Sequence, residues 1–153
     1  MYYLKSAKCT AVDKFDICVK TASENAKKHN VHNRLTLIND DVLAGMDYGT
    51  EFDCIVSNPP YIETETLDSL SSDVKDYEPL YALDGGNDGL IFYRKITDYA
   101  SKTLSKGGIL AFEIGYNQGK TVKKIIEETN EFHSIEVLCD LAGLDRVIIA
   151  EKR

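Results

Sequence analysis

The chain has 153 residues, of which 43% are hydrophobic and 28% are charged, a composition typical of one globular domain with its own core. Its 18 basic and 25 acidic residues give a net charge of −7, and the basic residues form no dense cluster, so nucleic acid is a poor fit as partner. No apolar stretch is long enough to span a bilayer, and the first residues lack the apolar run of a signal peptide, so we expect a cytoplasmic protein without a membrane partner.

Short apolar runs alternate with helical patterns in the first third of the chain. Lys8 to Val12 predicts a strand that ends at Asp13, and Ile17 to His29 carries apolar or small residues at helical spacing. Leu35 to Ile38 predicts a second strand, which ends at Asp40-Asp41. This alternation favours an α/β fold with a largely parallel sheet covered by helices.

A third predicted strand, Phe52 to Ser57, leads directly into Asn58-Pro59-Pro60-Tyr61. A long connection, residues 62 to 90, follows, and long loops inside compact domains are usually functional or mobile. Leu90 to Leu104 then predicts a helix that Gly107-Gly108 stops.

The last third of the chain predicts a fourth strand, a helix and then two more strands. Ile109 to Ile114 is the fourth strand, and a helix from about Gly119 to Asn130 precedes strands near Ile135 to Cys139 and Arg146 to Ala150. The short separation of the last two strands permits an antiparallel final pair. With no internal repeat or linker, one domain, residues 1–153, accounts for the whole chain.

Cysteine and histidine spacing gives no sign of a metal site. The four cysteines lack a C-x-x-C spacing, and we interpret them as reduced and structural. His29 and His32 have no third ligand nearby, so we interpret them as part of a solvated helix end. We therefore predict no metal.

The loop after the third strand carries the most informative chemistry in the chain. Pro59 and Pro60 have a fixed φ and no N–H, so their carbonyls face outward as acceptors. Asn58 adds a side-chain oxygen, and Tyr61 offers a flat face for a planar group. Acceptors that hold both N–H bonds of an amide or amine direct its lone pair at an electrophilic methyl group, so the loop predicts methyl transfer to nitrogen.

Three acidic or apolar positions at strand ends are candidates for binding a cofactor. Asp13 can accept hydrogen bonds from both hydroxyls of a ribose, and Asp41 with Val42 can lie along the edge of an adenine. The plainer alternatives stay open here. Asp13 and Asp41 can be turn or N-cap residues, and Asn58-Pro59 can start an ordinary turn.

These motifs together resemble the class I S-adenosylmethionine-dependent methyltransferases, and specifically the HemK-type peptide chain release factor glutamine methyltransferases. The similarity runs over nearly the whole chain. Its segments are Thr10-Ala11-Val12-Asp13, Asn25-Ala26, Asp41-Val42-Leu43, Phe52 to Ile62, Tyr77-Glu78-Pro79, Ala82-Leu83, Gly86, Asp88-Gly89-Leu90, Gly107-Gly108, Glu113-Ile114-Gly115-Tyr116, Gln118-Gly119 and Asp145-Arg146-Val147.

The resemblance implies a Rossmann-like sheet, mostly parallel with an antiparallel C-terminal strand, and S-adenosylmethionine as cofactor. It implies that Asp13 binds the ribose, that Asp41 and Val42 border the adenine, and that Asn58 bridges cofactor and substrate. Asn58 and Pro59 would hold the amide of the glutamine in a Gly-Gly-Gln loop of a release factor, with Pro60 and Tyr61 packed around it. This would place the protein in translation termination.

For Glu78, Glu113 and Arg146 we favour structural roles, because loop anchoring and sheet-edge pairing explain them without chemistry.

The chain departs from the family pattern upstream of Asp13. Family members have a helical domain, a first strand and a glycine-rich loop there, whereas the ten glycines of this chain all lie at Gly45 or beyond. We therefore expect a partial catalytic domain that lacks the first strand and binds the cofactor weakly or not at all. The gap would lie between the strands ending at Asp13 and Asn58, so we expect these strands to close together or an oligomer to supply a strand.

Two alternative functions remain open at this point. The same tetrapeptide occurs in enzymes that methylate the amino group of adenine in nucleic acid, although those normally carry a basic surface or a recognition domain. A fragment that binds release factor without transferring methyl is the other alternative.

Overall fold

A computed structural model describes residues 3–49, 51–71 and 79–153 of the chain. The chain divides into two compact units, Met1–Tyr48 and Gly49–Arg153. Within the described ranges, no helix is long and apolar enough to cross a membrane. Tyr77 and Glu78, which belong to one of the sequence motifs, lie outside the described residues.

The first unit consists of two parallel strands and a connecting helix. Strand β1 (Cys9–Asp13) pairs with β2 (Leu35–Asn39), and helix α1 (Asp16–Lys28) joins them as the crossover that a parallel pair requires. Asn30 ends the helix in the left-handed region, with a φ of 56°, which turns the chain towards β2. The pairing of Asp13 with Asn39 places the ends of both strands at the same edge of the sheet.

The second unit is built on a four-stranded sheet. Its elements in chain order are β3 (Phe52–Ser57), α2 (Ile91–Thr103), β4 (Leu104–Glu113), α3 (Gly119–Glu128), β5 (Phe132–Cys139) and β6 (Asp145–Lys152). The strand order is β3-β4-β6-β5, in which β3 and β4 are parallel and β6 is antiparallel to both β4 and β5. The predicted α/β fold with a closing antiparallel strand is confirmed.

The core of the second unit lies where the two helices cover the sheet. Tyr93 of α2 packs edge-on against Phe112 of β4, with 5.2 Å between the ring centroids. Ile126 of α3 and Ile148 of β6 are also fully buried. Burying one such side chain stabilises the folded state by about 1.5–3 kcal/mol, so this packing fixes the end of β4.

The boundary between α2 and β4 differs most from the sequence prediction. Helix α2 ends at Thr103 and β4 begins at Leu104, whereas the strand was expected from Ile109. The pairing jumps from Phe52 with Leu104 to Cys54 with Ile109, so the residues between form a bulge. Gly107 supplies the positive φ of 77° there, so the glycine pair shapes a strand instead of stopping the helix.

The strands that flank the predicted gap belong to different sheets. Strand β1 pairs with β2, and β3 forms one edge of the four-stranded sheet. In the described part of the chain no ladder joins β1 to β3. All four cysteines are free, as expected, but Cys54 on β3 and Cys139 on β5 are exposed and do not pack as core residues.

Candidate active site

The loop Asn58-Pro59-Pro60-Tyr61 begins directly after β3, whose last residue Ser57 pairs with Phe112 of β4. Asn58 is exposed, Pro59 is buried, and Pro60 and Tyr61 are half-buried. Among the described residues, none donates a hydrogen bond to the Asn58 side chain or to the Pro59 carbonyl. Two acceptors at the start of the loop therefore have capacity for an external donor.

The backbone that follows this loop is fixed by a short pairing with the long connection. The Ile62 N–H donates to the Leu83 carbonyl at 2.9 Å, and the Gly85 N–H donates to the Ile62 carbonyl at 2.8 Å. A Cβ at Gly85 would lie 2.8 Å from the Cα of Tyr61, so only glycine allows this close approach. The long connection thus braces the loop from one side.

Gln118, the residue before α3, joins three backbone segments with one side chain. Its Nε2 donates to the carbonyls of Tyr61 at 3.0 Å and Gly89 at 3.3 Å. Its Oε1 accepts from the Gly115 N–H at 3.0 Å and from the Tyr93 hydroxyl at 3.4 Å. The carbonyl of Tyr61 is therefore held by a residue of the connection between β4 and α3.

Tyr93 is held as a neutral phenol beside the loop. Burial, together with the nearby Tyr61 and Glu113, raises the pKa of Tyr93 far above its ordinary value. Its single hydroxyl proton lies between the Glu113 carbonyl at 3.0 Å and the Gln118 Oε1 at 3.4 Å, and the shorter contact is with Glu113. The hydroxyl is thus a structural donor and not a base at neutral pH.

Arg146 interacts electrostatically with Tyr61 and Glu113 of this group of residues. Its guanidinium bonds the Asp140 carboxylate at 3.2 Å, and this bond, with the more distant Tyr61 and Glu113, raises the pKa of Arg146. The N–H of Leu144, then the Arg146 guanidinium and the N–H of Ala142, hold the pKa of Asp140 below its ordinary value. Arg146 therefore closes the turn between β5 and β6, in agreement with the structural role we favoured.

In the first unit, Asp13 and Asp41 both lie at the edge where β1 and β2 end. One oxygen of Asp13, Oδ1, accepts from the Phe15 N–H at 2.9 Å, and the side chain is exposed. Asn39 ties the two strand ends together, because its Nδ2 donates to the carbonyls of Asp13 at 3.0 Å and Lys14 at 2.9 Å. The Asp13 carboxylate also interacts with the Cys18 thiol, and after desolvation this interaction contributes to the raised pKa of Cys18. Because its side chain is exposed, Asp13 stays a candidate for ribose binding.

Asp41 fits a direct cofactor role less well than Asp13. Its Oδ1 accepts from the Leu43 N–H at 2.9 Å, and its Oδ2 pairs with the Lys14 ammonium at 2.8 Å. These partners, first the Lys14 ammonium and then the Leu43 N–H, lower the pKa of Asp41. Both oxygens hold the turn that carries Val42, so Asp41 shapes the position of Val42, which is half-buried.

Sequence comparisons give the relatives of this chain. Residues 3–147 match the family model described as Eco57I restriction-modification methylase. The chain is 44% identical, over 154 residues, to the release factor glutamine methyltransferase of Clostridium botulinum, with 99% of this chain and 53% of that protein covered. The chain belongs to the release factor glutamine methyltransferase family. The resemblance inferred from its motifs is therefore confirmed, and the cofactor of this family is S-adenosylmethionine.

Solved structures agree on the fold of this methyltransferase family member. A methyltransferase from Pyrococcus furiosus is similar with a TM-score of 0.68 at 20% identity, over 98% of this chain and 65% of that one. A SAM-dependent O-methyltransferase from Thermotoga maritima is similar with a TM-score of 0.66 at 19% identity, over 96% and 50% of the two chains. The class I methyltransferase fold is confirmed. The chain spans about half the length of the curated relatives it matches.

The roles of individual residues in this family member stay predictions. The structure brings Asp13, Asp41 and Val42 together at one sheet edge of the first unit, and Asn58 to Tyr61 form one loop of the second. Gln118 was missed as a site residue, because it lies 57 residues from Tyr61 in the sequence. Gly89 belongs to one of the sequence motifs, but the spacing of residues could not predict its contact with the loop.

Proposed function

We propose that this chain contributes to the transfer of a methyl group from S-adenosylmethionine to the side-chain amide of a glutamine in a peptide chain release factor. The observation that carries this proposal is the loop after β3, in which the Asn58 side chain and the Pro59 carbonyl have unused acceptor capacity. The identity to the enzyme from Clostridium botulinum supports glutamine as the substrate.

The loop residues act by holding a poor nucleophile in one orientation. The Asn58 oxygen and the Pro59 carbonyl accept the two N–H bonds of the substrate amide, so its lone pair points away from both of them. Tyr61 packs on the amide plane and keeps it from rotating. When bound, S-adenosylmethionine supplies a methyl group whose bond to sulfur breaks, leaving the electron pair on sulfur, as the new bond to nitrogen forms.

The amide loses one proton to complete the reaction. After methylation the nitrogen carries positive charge and is strongly acidic, so no strong base is required. The Pro59 carbonyl, which already holds one of the amide protons, or a water molecule can accept it. Tyr93 takes no part in this step, because its raised pKa keeps it protonated.

In the first unit, Asp13 and Val42 would hold the cofactor. The exposed Asp13 carboxylate would accept from the ribose hydroxyls, and Val42 would contact the adenine ring. Asp41 would act indirectly, because its Lys14 and Leu43 partners occupy its oxygens.

Methylation of adenine in DNA is the alternative that the family model brings forward, since its description names a restriction-modification methylase. The net charge of −7 counts against it, because binding to a phosphate backbone depends on Lys and Arg contacts. We therefore favour methylation of a protein glutamine over methylation of adenine in DNA.

The test supplies the protein with radiolabelled S-adenosylmethionine and either a release factor or an adenine-containing duplex. Label incorporated into the release factor and not into the duplex supports the proposal. Label in the duplex alone would replace it with the nucleic-acid function. Binding of release factor without any label, measured by pull-down, would leave the non-catalytic binding alternative in its place.

A further inference from the structure

We propose that Gln118 is a positioning residue for the acceptor loop, a role that rests on the proposed function but has a structural consequence of its own. The side-chain amide of Gln118 holds the carbonyl of Tyr61 and so fixes the peptide plane that ends the Asn58-Pro59-Pro60-Tyr61 segment.

The hydrogen bonds of Gln118 can be made in only one orientation of its amide. Two carbonyls, of Tyr61 and Gly89, face the Nε2, and one backbone N–H, of Gly115, faces the Oε1. A flipped amide would place its oxygen against both carbonyls and its nitrogen against an N–H, losing all three bonds. The three partners therefore fix the orientation of the Gln118 amide, and the amide in turn fixes the position of the Tyr61 carbonyl.

The backbone that carries Gln118 is itself fixed. The Gln118 N–H donates to the Gly115 carbonyl at 2.9 Å, and the Gln118 carbonyl accepts from the Val122 N–H at 2.9 Å in the first turn of α3. Val122 is fully buried, so this end of the helix is anchored in the core. The Gln118 side chain therefore binds the loop from a backbone that is itself held in place.

Two glycines allow the amide to reach its partners. A Cβ at Gly115 would lie 2.9 Å from the Gln118 Oε1, and one at Gly89 would lie 3.0 Å from the Nε2 and would overlap the Tyr61 carbonyl oxygen. With these glycines in place, Gln118 and the Ile62 pairing hold both sides of the peptide bond after Tyr61. Because Pro59 and Pro60 have fixed φ, few soft dihedrals remain between this bond and Asn58.

This constraint matters for catalysis because the acceptors must be in place before the amide arrives. Acceptors that reorient during the reaction lose much of the benefit of preorganisation. Releasing the Tyr61 carbonyl would let the loop sample several orientations, and binding of the substrate amide would have to select one of them.

The experiment compares Gln118→Glu and Gln118→Met with a charge-matched control, Asn117→Asp, in the full chain. Gln118→Glu places an oxygen against the two carbonyls, and Gln118→Met removes both donors without adding charge. Asn117 is the adjacent exposed residue, so its variant adds the same charge outside the network. For each protein we would measure three quantities: amide hydrogen exchange at Ile62, the free energy of unfolding, and the Kd for a release factor domain that carries the Gly-Gly-Gln loop.

The proposal predicts that both Gln118 variants fold, that Ile62 exchanges at least about tenfold faster, and that the release factor domain binds at least about tenfold more weakly. Asn117→Asp should match the wild type in both measurements. Unchanged Ile62 exchange, or unchanged binding where the wild type binds, would overturn the positioning role. Loss of the whole fold in both Gln118 variants would also overturn it, because the residue would then support the fold in general.

The two claims fail in different ways. If the wild-type chain does not bind the release factor domain, the proposed function fails in this form of the protein, while the exchange rate of Ile62 still decides the role of Gln118 in ordering the loop.

Discussion

Gly89 packs directly against the carbonyl of Tyr61, so closely that a Cβ on Gly89 would overlap the carbonyl oxygen. The same glycine has a φ of +67°, which side-chain-bearing residues rarely adopt. Backbone conformation and packing therefore both require glycine at this position, on the connection that braces the candidate substrate loop.

Gly89→Ala should destabilise the protein by about 2–4 kcal/mol, from left-handed strain plus the displaced Tyr61 carbonyl. Gly143 is a matched control, because its φ is +78° but open space surrounds its Cβ position. Gly143→Ala should cost only the strain, about 1 kcal/mol. Denaturant unfolding measures both, and equal costs would show that the contact with Tyr61 adds nothing.

Asp140 should contribute to stability at neutral pH and lose that contribution in acid. Bonds from the Leu144 N–H, the Arg146 guanidinium and the Ala142 N–H lower its pKa in the folded state, so the contribution is present above the unfolded pKa of about 3.9 and is lost as pH falls through the folded value. Asp140→Asn keeps an oxygen that can accept from Leu144 and Ala142. As the pH is lowered from about 5 to 2, the free energy of unfolding of the Asp140→Asn variant should fall less steeply than that of the wild type. Identical slopes would contradict this account of Asp140.

Asp13 should matter for the cofactor more than for the fold. Asp13→Asn retains an oxygen to accept from the Phe15 N–H but loses the charge that favours ribose hydroxyls as donors, so the Kd for S-adenosylmethionine should rise at least about tenfold. Asp16→Asn, at the start of the adjacent helix α1, alters an exposed carboxylate outside the proposed site. Calorimetric titration compares the two variants. An equal Kd for both would remove Asp13 from the cofactor site.

Local patterns predicted all six strands in the described part of the chain, and the strand bounds were most accurate where a clear signal ends the apolar run. The bounds of β3, Phe52–Ser57, follow from an apolar run that an Asn-Pro pair terminates. The start of β4 was placed too late, because its first residues form a bulge around Gly107, and glycine pairs more often signal the end of an element. A bulge depends on its partner strand, which periodicity along one segment cannot show.

The sequence predicted site residues that are adjacent in the chain, but not residues that only the fold brings together. Asn58 and Pro59 could be recognised because acceptors and fixed φ angles occur together in one short loop. Gln118 could not, because its partners Tyr61 and Gly89 are 57 and 29 residues away. Asp41 was expected to border the adenine directly, but Lys14, from the neighbouring strand end, occupies one of its oxygens.

The most direct test of the central claim is tandem mass spectrometry of a release factor after incubation with S-adenosylmethionine and either the wild-type protein or Asn58→Ala. Asn58 is exposed and has no described partner, so its substitution should change the free energy of unfolding by less than about 0.5 kcal/mol. Because we expect weak cofactor binding, we predict slow incorporation of one methyl group on the side-chain amide of the Gly-Gly-Gln glutamine with the wild type, and a rate at least about 100-fold lower with Asn58→Ala. Methylation at any other residue, or an unchanged rate with Asn58→Ala, would contradict the claim that this loop holds the glutamine amide.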